Sequence, residues 1–125
     1  MVEERITDGR RIAELLASEL DGREDGTLAS VRVTDADRDV EPTADGSRAY
    51  DVTLSDERIA QVFVHEDRAR LEFEVGQDVA AETGSELELR VRPKATQPPR
   101  TLVFVESGAA VKRATDVVQA VNRSL

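Results

Sequence analysis

The single histidine, His65, stands in the run His65-Glu66-Asp67. An imidazole beside carboxylates can ligate a metal or work as an acid–base pair. A strand, however, sends residues 65 and 66 to opposite faces, and neither a second histidine nor a cysteine completes a transition-metal set. His65 therefore reads as a turn residue. Asp35, Asp37 and Asp39 alternate as the first ligands of a calcium loop do. That pattern needs glycine at its sixth place and glutamate at its twelfth. Val40 and Gly46 stand there instead, so residues 35–46 read as a solvated acidic loop. Ser107 lies where a strand gives way to a helix, as hydrolase nucleophiles do. The nucleophile elbow requires glycines two places to either side; Val105 and Ala109 occupy them, and Ser107 reads as a helix cap. Dinucleotide, phosphate-loop and zincin motifs are absent as well. The sequence calls for no metal and no cofactor.

What remains is the stretch RPKATQPPRTLVFVESGAAVKRA, residues 92–114. A helix N-terminus presents free amides and a partial positive charge, which suit an anion. Ser107 and Gly108 would open that helix, with Lys112 and Arg113 one turn on and Arg92, Lys94 and Arg100 ahead of the strand. These seven residues form the candidate site for a phosphate or carboxylate. A competing reading is a ladder of opposite charges, with Arg90 and Arg92 meeting Glu86 and Glu88 along their strand, or Glu72 and Glu74 across a hairpin.

The charge balance makes this stretch unusual. The chain of 125 residues holds 17 bases, of which 15 are Arg and 2 are Lys, against 26 acids, for a net charge of −9. Residues 1–89 hold 10 bases and 24 acids, whereas residues 90–125 hold 7 bases and 2 acids. In molar salt the Debye length shrinks to about 3 Å, so a dense acidic surface scarcely repels itself, and carboxylates keep it hydrated. Acidity of this kind is an adaptation to solvent and does not identify a partner. The basic last third departs from it. With no cysteine in the chain, disulfides and thiolate metal sites are excluded. No apolar run reaches the ~20 residues of a membrane span, and the charged opening MVEERITDGRR lacks the apolar core of a signal peptide. The expectation is a cytoplasmic chain with no membrane partner.

These residues need elements to hold them. Ile12, Leu15, Leu16 and Leu20 recur at helical spacing, which predicts a helix over Thr7–Leu20, capped by Thr7 or Asp8 and stopped by the turn DGREDG at 21–26. Alternation predicts strands in SVRVT, YDVTL, RIAQVFV, ARLEFEV and ELELRVR, and an apolar run predicts one more in TLVFV. SDE at 55–57 and Asp67-Arg68 read as turns. GQDVAAETG at 76–84 reads as a connection with a helical turn. A second long helix follows Ser107, with a stripe of Ala110, Val111, Ala114, Val117, Val118, Val121 and Leu125. The fold class is α+β: one domain, 1–125, with an antiparallel sheet of about six strands packed on one face by the N- and C-terminal helices in a two-layer sandwich.

Two strands are apolar on both faces. Ile59 and Phe63 oppose Ala60, Val62 and Val64, and Leu102 and Phe104 oppose Val103 and Val105. The second face would then carry an apolar patch, of the sort that marks a partner surface, or a loop (35–47 or 76–84) would cover it. The candidate interface comprises Ile59, Phe63, Val103 and Val105.

The run RPKATQPPRTLVFVESGAAVKRATDVV, together with the opening TDGRRIAELLASEL, resembles a family of small acidic haloarchaeal proteins of unknown function. The resemblance spans most of the chain. It implies the cytoplasm of a halophile and carries over no functional residue. The first functional reading is a non-enzymatic binding or interaction module, homodimeric through the apolar sheet face or bound to another protein. The alternative is a regulator that binds nucleic acid or a phosphate ligand through Arg92–Arg113, and an enzyme of unknown class comes third.

Overall fold

The computed structural model describes residues 6–21 and 31–125. The elements run α1 (Gly9–Asp21), β1 (Val31–Thr34), β2 (Ser47–Leu54), β3 (Glu57–Val64), β4 (Ala69–Phe73), α2 (Gln77–Glu86), β5 (Val91–Lys94), β6 (Arg100–Val105), a 3₁₀ turn (Gly108–Ala110) and α3 (Val111–Ser124). The turn expected at 21–26 lies, beyond Asp21, outside the described residues, as does Ser30 of the first strand.

The six strands form one sheet, ordered β1-β2-β3-β4-β6-β5, with every neighbouring pair antiparallel. The class is α+β, as the alternation predicted. α1 begins on a side-chain cap, with the Asp8 carboxylate accepting from the Arg11 amide at 3.1 Å. Its buried stripe is Ile12, Ala13, Leu16 and Leu20. α3 buries Val111, Ala114, Val117, Val118 and Val121. Each fully buried aliphatic side chain contributes roughly 1.5–3 kcal/mol. The Tyr50 hydroxyl donates to the Ala13 carbonyl at 2.8 Å, which ties α1 to the sheet. α3 packs against α1, α2 and β6.

The β2–β3 hairpin turns on Ser55 and Asp56, both at positive φ, as a two-residue hairpin requires. β4 and β5 run the same way, since each is antiparallel to β6. α2 makes the crossover between them, and β6 then enters the gap. α2 lies close on the sheet because Gly84 has no side chain; a Cβ there would stand 2.8 Å from a Val91 methyl.

Two expectations are corrected. Residues 77–86 are a ten-residue helix, not a loop with a helical turn, so three helices accompany the sheet. Residues 86–89 are not strand. Glu86 ends α2, Glu88 takes a positive φ of 61°, and the Leu89 amide returns to the Gly84 carbonyl at 2.9 Å. The alternation of ELEL is a helix end that turns both leucines inward, Leu89 into the core and Leu87 against it. Among the described residues no helix is long and apolar enough to cross a membrane.

Candidate functional site

The strand registers sort side chains between two faces. Tyr50, Val52, Ala60, Val62, Val64, Ala69, Leu71, Phe73, Val103 and Val105 point to the helices and fill the core. Among the described residues no helix covers the other face, and its side chains form rows across the strands. One row reads Arg48, Phe63, Arg70, Phe104, with Arg90 joined to Phe104 by a backbone hydrogen bond. Cation and aromatic ring alternate along it: the Arg70 guanidinium lies 4.5 Å from the Phe63 ring centre and that of Arg90 lies 4.4 Å from Phe104. The next row reads Asp51, Gln61, Glu72, Leu102, Arg92. A third begins with Lys94 opposite Arg100 and continues through Glu74 to Arg58.

Glu72 is the centre of this lattice and is wholly inaccessible to solvent. Arg70 binds one carboxylate oxygen as a fork, Nε at 2.8 Å and Nη2 at 2.7 Å. Arg100 Nη1 reaches the other oxygen at 3.0 Å and Lys94 Nζ at 3.3 Å. Burial alone would raise this carboxyl's pKa. The hydrogen bonds from Arg70 and Arg100, with the charges of Arg70 and Lys94, outweigh it and hold the group below its ordinary range. The bonding extends sideways. Arg100 also donates to Gln61 Oε1 at 2.9 Å, Gln61 donates to Asp51 at 3.1 Å, and Arg48 donates to the same Asp51 oxygen at 3.3 Å. Arg58 Nε meets Glu74 at 2.6 Å.

At the other end Arg70 meets His65. The imidazole Nδ1 donates to the Ala44 carbonyl at 2.9 Å, and Nε2 accepts from Arg70 Nη1 at 2.7 Å. This pattern is that of a neutral ring. Burial lowers the histidine's pKa and the charges of Arg68 and Arg70 lower it further, against the opposing Ala44 bond and Asp67. Arg70 Nη1 also donates to the Asp45 carbonyl at 2.8 Å. Residues 44–46 are thereby latched onto the sheet, and Gly46, at a φ of 91°, leaves room for the guanidinium that a side chain would overlap.

The structure brings together three of the seven expected site residues, Arg92, Lys94 and Arg100, on the helix-free face. The other four lie elsewhere. The Gly108 amide donates to the Ile6 carbonyl at 2.9 Å, and Ser107 Oγ accepts from the Ala110 amide at 3.3 Å. The Gly108 amide expected to meet an anion is thus engaged within the chain. Arg113 donates to the Leu87 carbonyl at 3.1 Å, at the end of α2. Lys112 is exposed on α3. Of the expected interface, Val103 and Val105 lie under the helices with no exposed surface, because they share a face with Leu71 and Ala69. The β2–β3 pairing skips Ile59, since Val52 faces Ala60 and Thr53 faces Arg58. An extra residue escapes strict alternation, and Ile59 joins the core. Phe63 alone stays on the open face, under Arg70. His65 ends its strand as expected but is buried. Of the acidic loop, Asp35 pairs with Arg48 at 3.6 Å and Asp37 accepts from the Asp39 amide at 3.0 Å.

Sequence reasoning missed Arg48, Asp51, Gln61 and Arg70. Their signal was the polar half of each alternation: Arg70, Glu72 and Glu74 occupy every second place of β4 and its extension.

No curated protein and no solved structure matches this chain. The profile of a family of unknown function, DUF7993, matches residues 1–125 from end to end, and the chain belongs to that family.

Proposed function

We propose that this chain is a non-enzymatic binding module whose partner docks on the helix-free face of the sheet. The observation that carries this reading is the ordered lattice around Glu72. The open face of a two-layer fold is held by a connected network from Arg48 to His65, and its bases outnumber its acids on a chain of net charge −9. The groups that could do chemistry are committed to structure. His65 bridges Ala44 and Arg70, Ser107 caps its helix, and Glu72 is sealed among cations. A dimer through an apolar sheet face is disfavoured, because Ile59, Val103 and Val105 of the expected interface lie in the core and Phe63 is covered by Arg70. The convergence of Arg92, Lys94 and Arg100 favours an anionic partner, which keeps a phosphate-bearing ligand as the second reading.

The absence of cysteine permits a direct test. A photo-crosslinker is attached at Leu102→Cys on the open face or at Glu14→Cys on the exposed side of α1, and each protein is irradiated in an extract of its native cells. A partner is expected to cross-link from Leu102 and not from Glu14. Equal yields from both positions, or capture from Glu14 alone, would refute the assignment of the face.

A further inference from the structure

We infer that the occupant of this face is an extended, carboxylate-rich segment of a protein, laid over β5 and β6; this rests on the binding face proposed above. Charge is the first argument. Arg70, Arg100 and Lys94 all converge on the single carboxylate of Glu72. Arg70 holds one of its oxygens as a fork, and Lys94, which bridges both oxygens, stays 41 % exposed. Beside them Arg92 is exposed and has no ion-pair partner among the described residues. Positive charge is therefore left over at this end of the sheet, and a partner with negative charge completes it.

Spacing is the second argument. Arg92 and Lys94 are alternate residues of one strand, so they share a face and stand roughly 7 Å apart. An extended peptide repeats its side chains at that same interval. Carboxylates at alternate positions would meet Arg92 and Lys94 in turn, with Arg100 opposite Lys94.

The rings decide between peptide and nucleic acid. Single strands bind through bases stacked on open aromatic rings. Phe104 is only 4 % exposed and lies beneath Arg90, and Phe63 lies beneath Arg70. Neither offers a free π-face. A phosphodiester chain also carries charge at every unit and would press some of it against Glu106 and Asp51, whereas a peptide can place neutral residues there. Reading a duplex needs a helix or ribbon that enters a groove, and among the described residues this face presents only the side chains of the sheet. Nor would the segment add a strand at the edge. In β5 the residue Pro93 pairs with Thr101 at a position whose amide would point outward, and proline has no amide hydrogen there. The contacts fall to side chains.

The test measures fluorescence anisotropy of a labelled synthetic peptide of alternating Glu and Thr in about 0.1 M KCl, where the Debye length is about 10 Å. A Lys-Thr peptide and oligo-dT serve as comparisons. The Glu-Thr peptide is expected to bind, and the Lys-Thr peptide to fail. Arg92→Glu, with or without Lys94→Glu, should weaken the Glu-Thr peptide by about tenfold or more. Arg92 has no ion-pair partner among the described residues, so its single variant should keep the thermal midpoint. Oligo-dT binding as tightly as the Glu-Thr peptide, unchanged peptide affinity in the Arg92→Glu protein, or no peptide binding at all would overturn the inference. Should Leu102 capture a partner while the peptide fails, only the chemistry of the partner is wrong. Should Leu102 capture nothing, the binding face itself falls.

Discussion

Replacing Glu72 by Gln removes one negative charge and almost no volume. The carboxylate now accepts from Arg70 twice, from Arg100 and from Lys94, at 2.7 to 3.3 Å. A glutamine keeps one acceptor and turns an NH₂ toward a guanidinium. Removing one partner of a buried ion pair costs about 3–5 kcal/mol, because the other charge is left uncompensated. Here the seal is one layer of side chains and not a helix. Arg100 is 22 % exposed and Lys94 41 %, so both can turn to water. The low end applies, and Glu72→Gln should lose about 3 kcal/mol, on the order of 10 °C in melting midpoint for a chain of this length. Urea denaturation at pH 7 would measure it. The loss should survive about 1 M KCl, because the partners lie within contact distance where the Debye length is about 3 Å. A loss under about 1 kcal/mol would mean that Glu72 exchanges its cations for water as surface pairs do, and the lattice would then not be the organising feature of this face. Acid offers a second check. The folded pKa of Glu72 is depressed, so its contribution is complete above the unfolded value of about 4.3 and disappears as pH falls through the folded one. The Gln variant should lack that dependence.

His65 predicts a separate window with the same sign. Its folded pKa is lowered, so the unfolded chain binds the extra proton. Stability should fall as pH drops below about 6.5, and urea midpoints of the native chain and a His65→Asn variant should converge toward pH 5.5. A native midpoint that does not move between pH 7.5 and 5.5 would contradict the neutral ring. Gly46→Ala combines a positive φ with an overlap onto Arg70, and should cost about 1–2 kcal/mol. Hydrogen exchange should place the loosening at residues 44–46 and not in α1.

The helices were legible because each stripe has one apolar face: Ile12, Leu16 and Leu20 in α1, and Ala114, Val117, Val118 and Val121 in α3, are all buried. β4 was legible through Leu71 and Phe73 for the same reason. Legibility ended where a segment is apolar on both sides. TLVFV is consistent with either face against the helices, and only its register with β4 turns Val103 and Val105 inward. The charge ladder was half visible. A hairpin from β4 to β5 would have set Arg90 and Arg92 against Glu72 and Glu74. Because β6 enters between those strands, Arg100 and Lys94 reach Glu72 instead. At the turn expected to hold an anion, the Gly108 amide meets a partner far along the chain, Ile6. No local pattern announces a bond of that kind. For His65 the strand end was readable, but its partner Ala44, 21 residues away, was not.

The insertion of β6 between β4 and β5 gives the fold a temporal weakness. β4 is complete at Phe73, but the strand that covers its free edge begins at Arg100. At about 5–20 residues per second the ribosome takes roughly one to six seconds to supply it. Through that interval β4 shows a row of unpaired amides and carbonyls, a template for any neighbouring nascent chain. β5 emerges first and cannot help, because its place is one strand further out. The charges that later knit the open face then act as guards. Arg70, Glu72 and Glu74 make β4 a poor edge for another apolar strand to join. Residues that rigidify the finished sheet thus also protect it while it is incomplete, and substitutions that neutralise them should lower the yield of soluble chain by more than their effect on equilibrium stability accounts for.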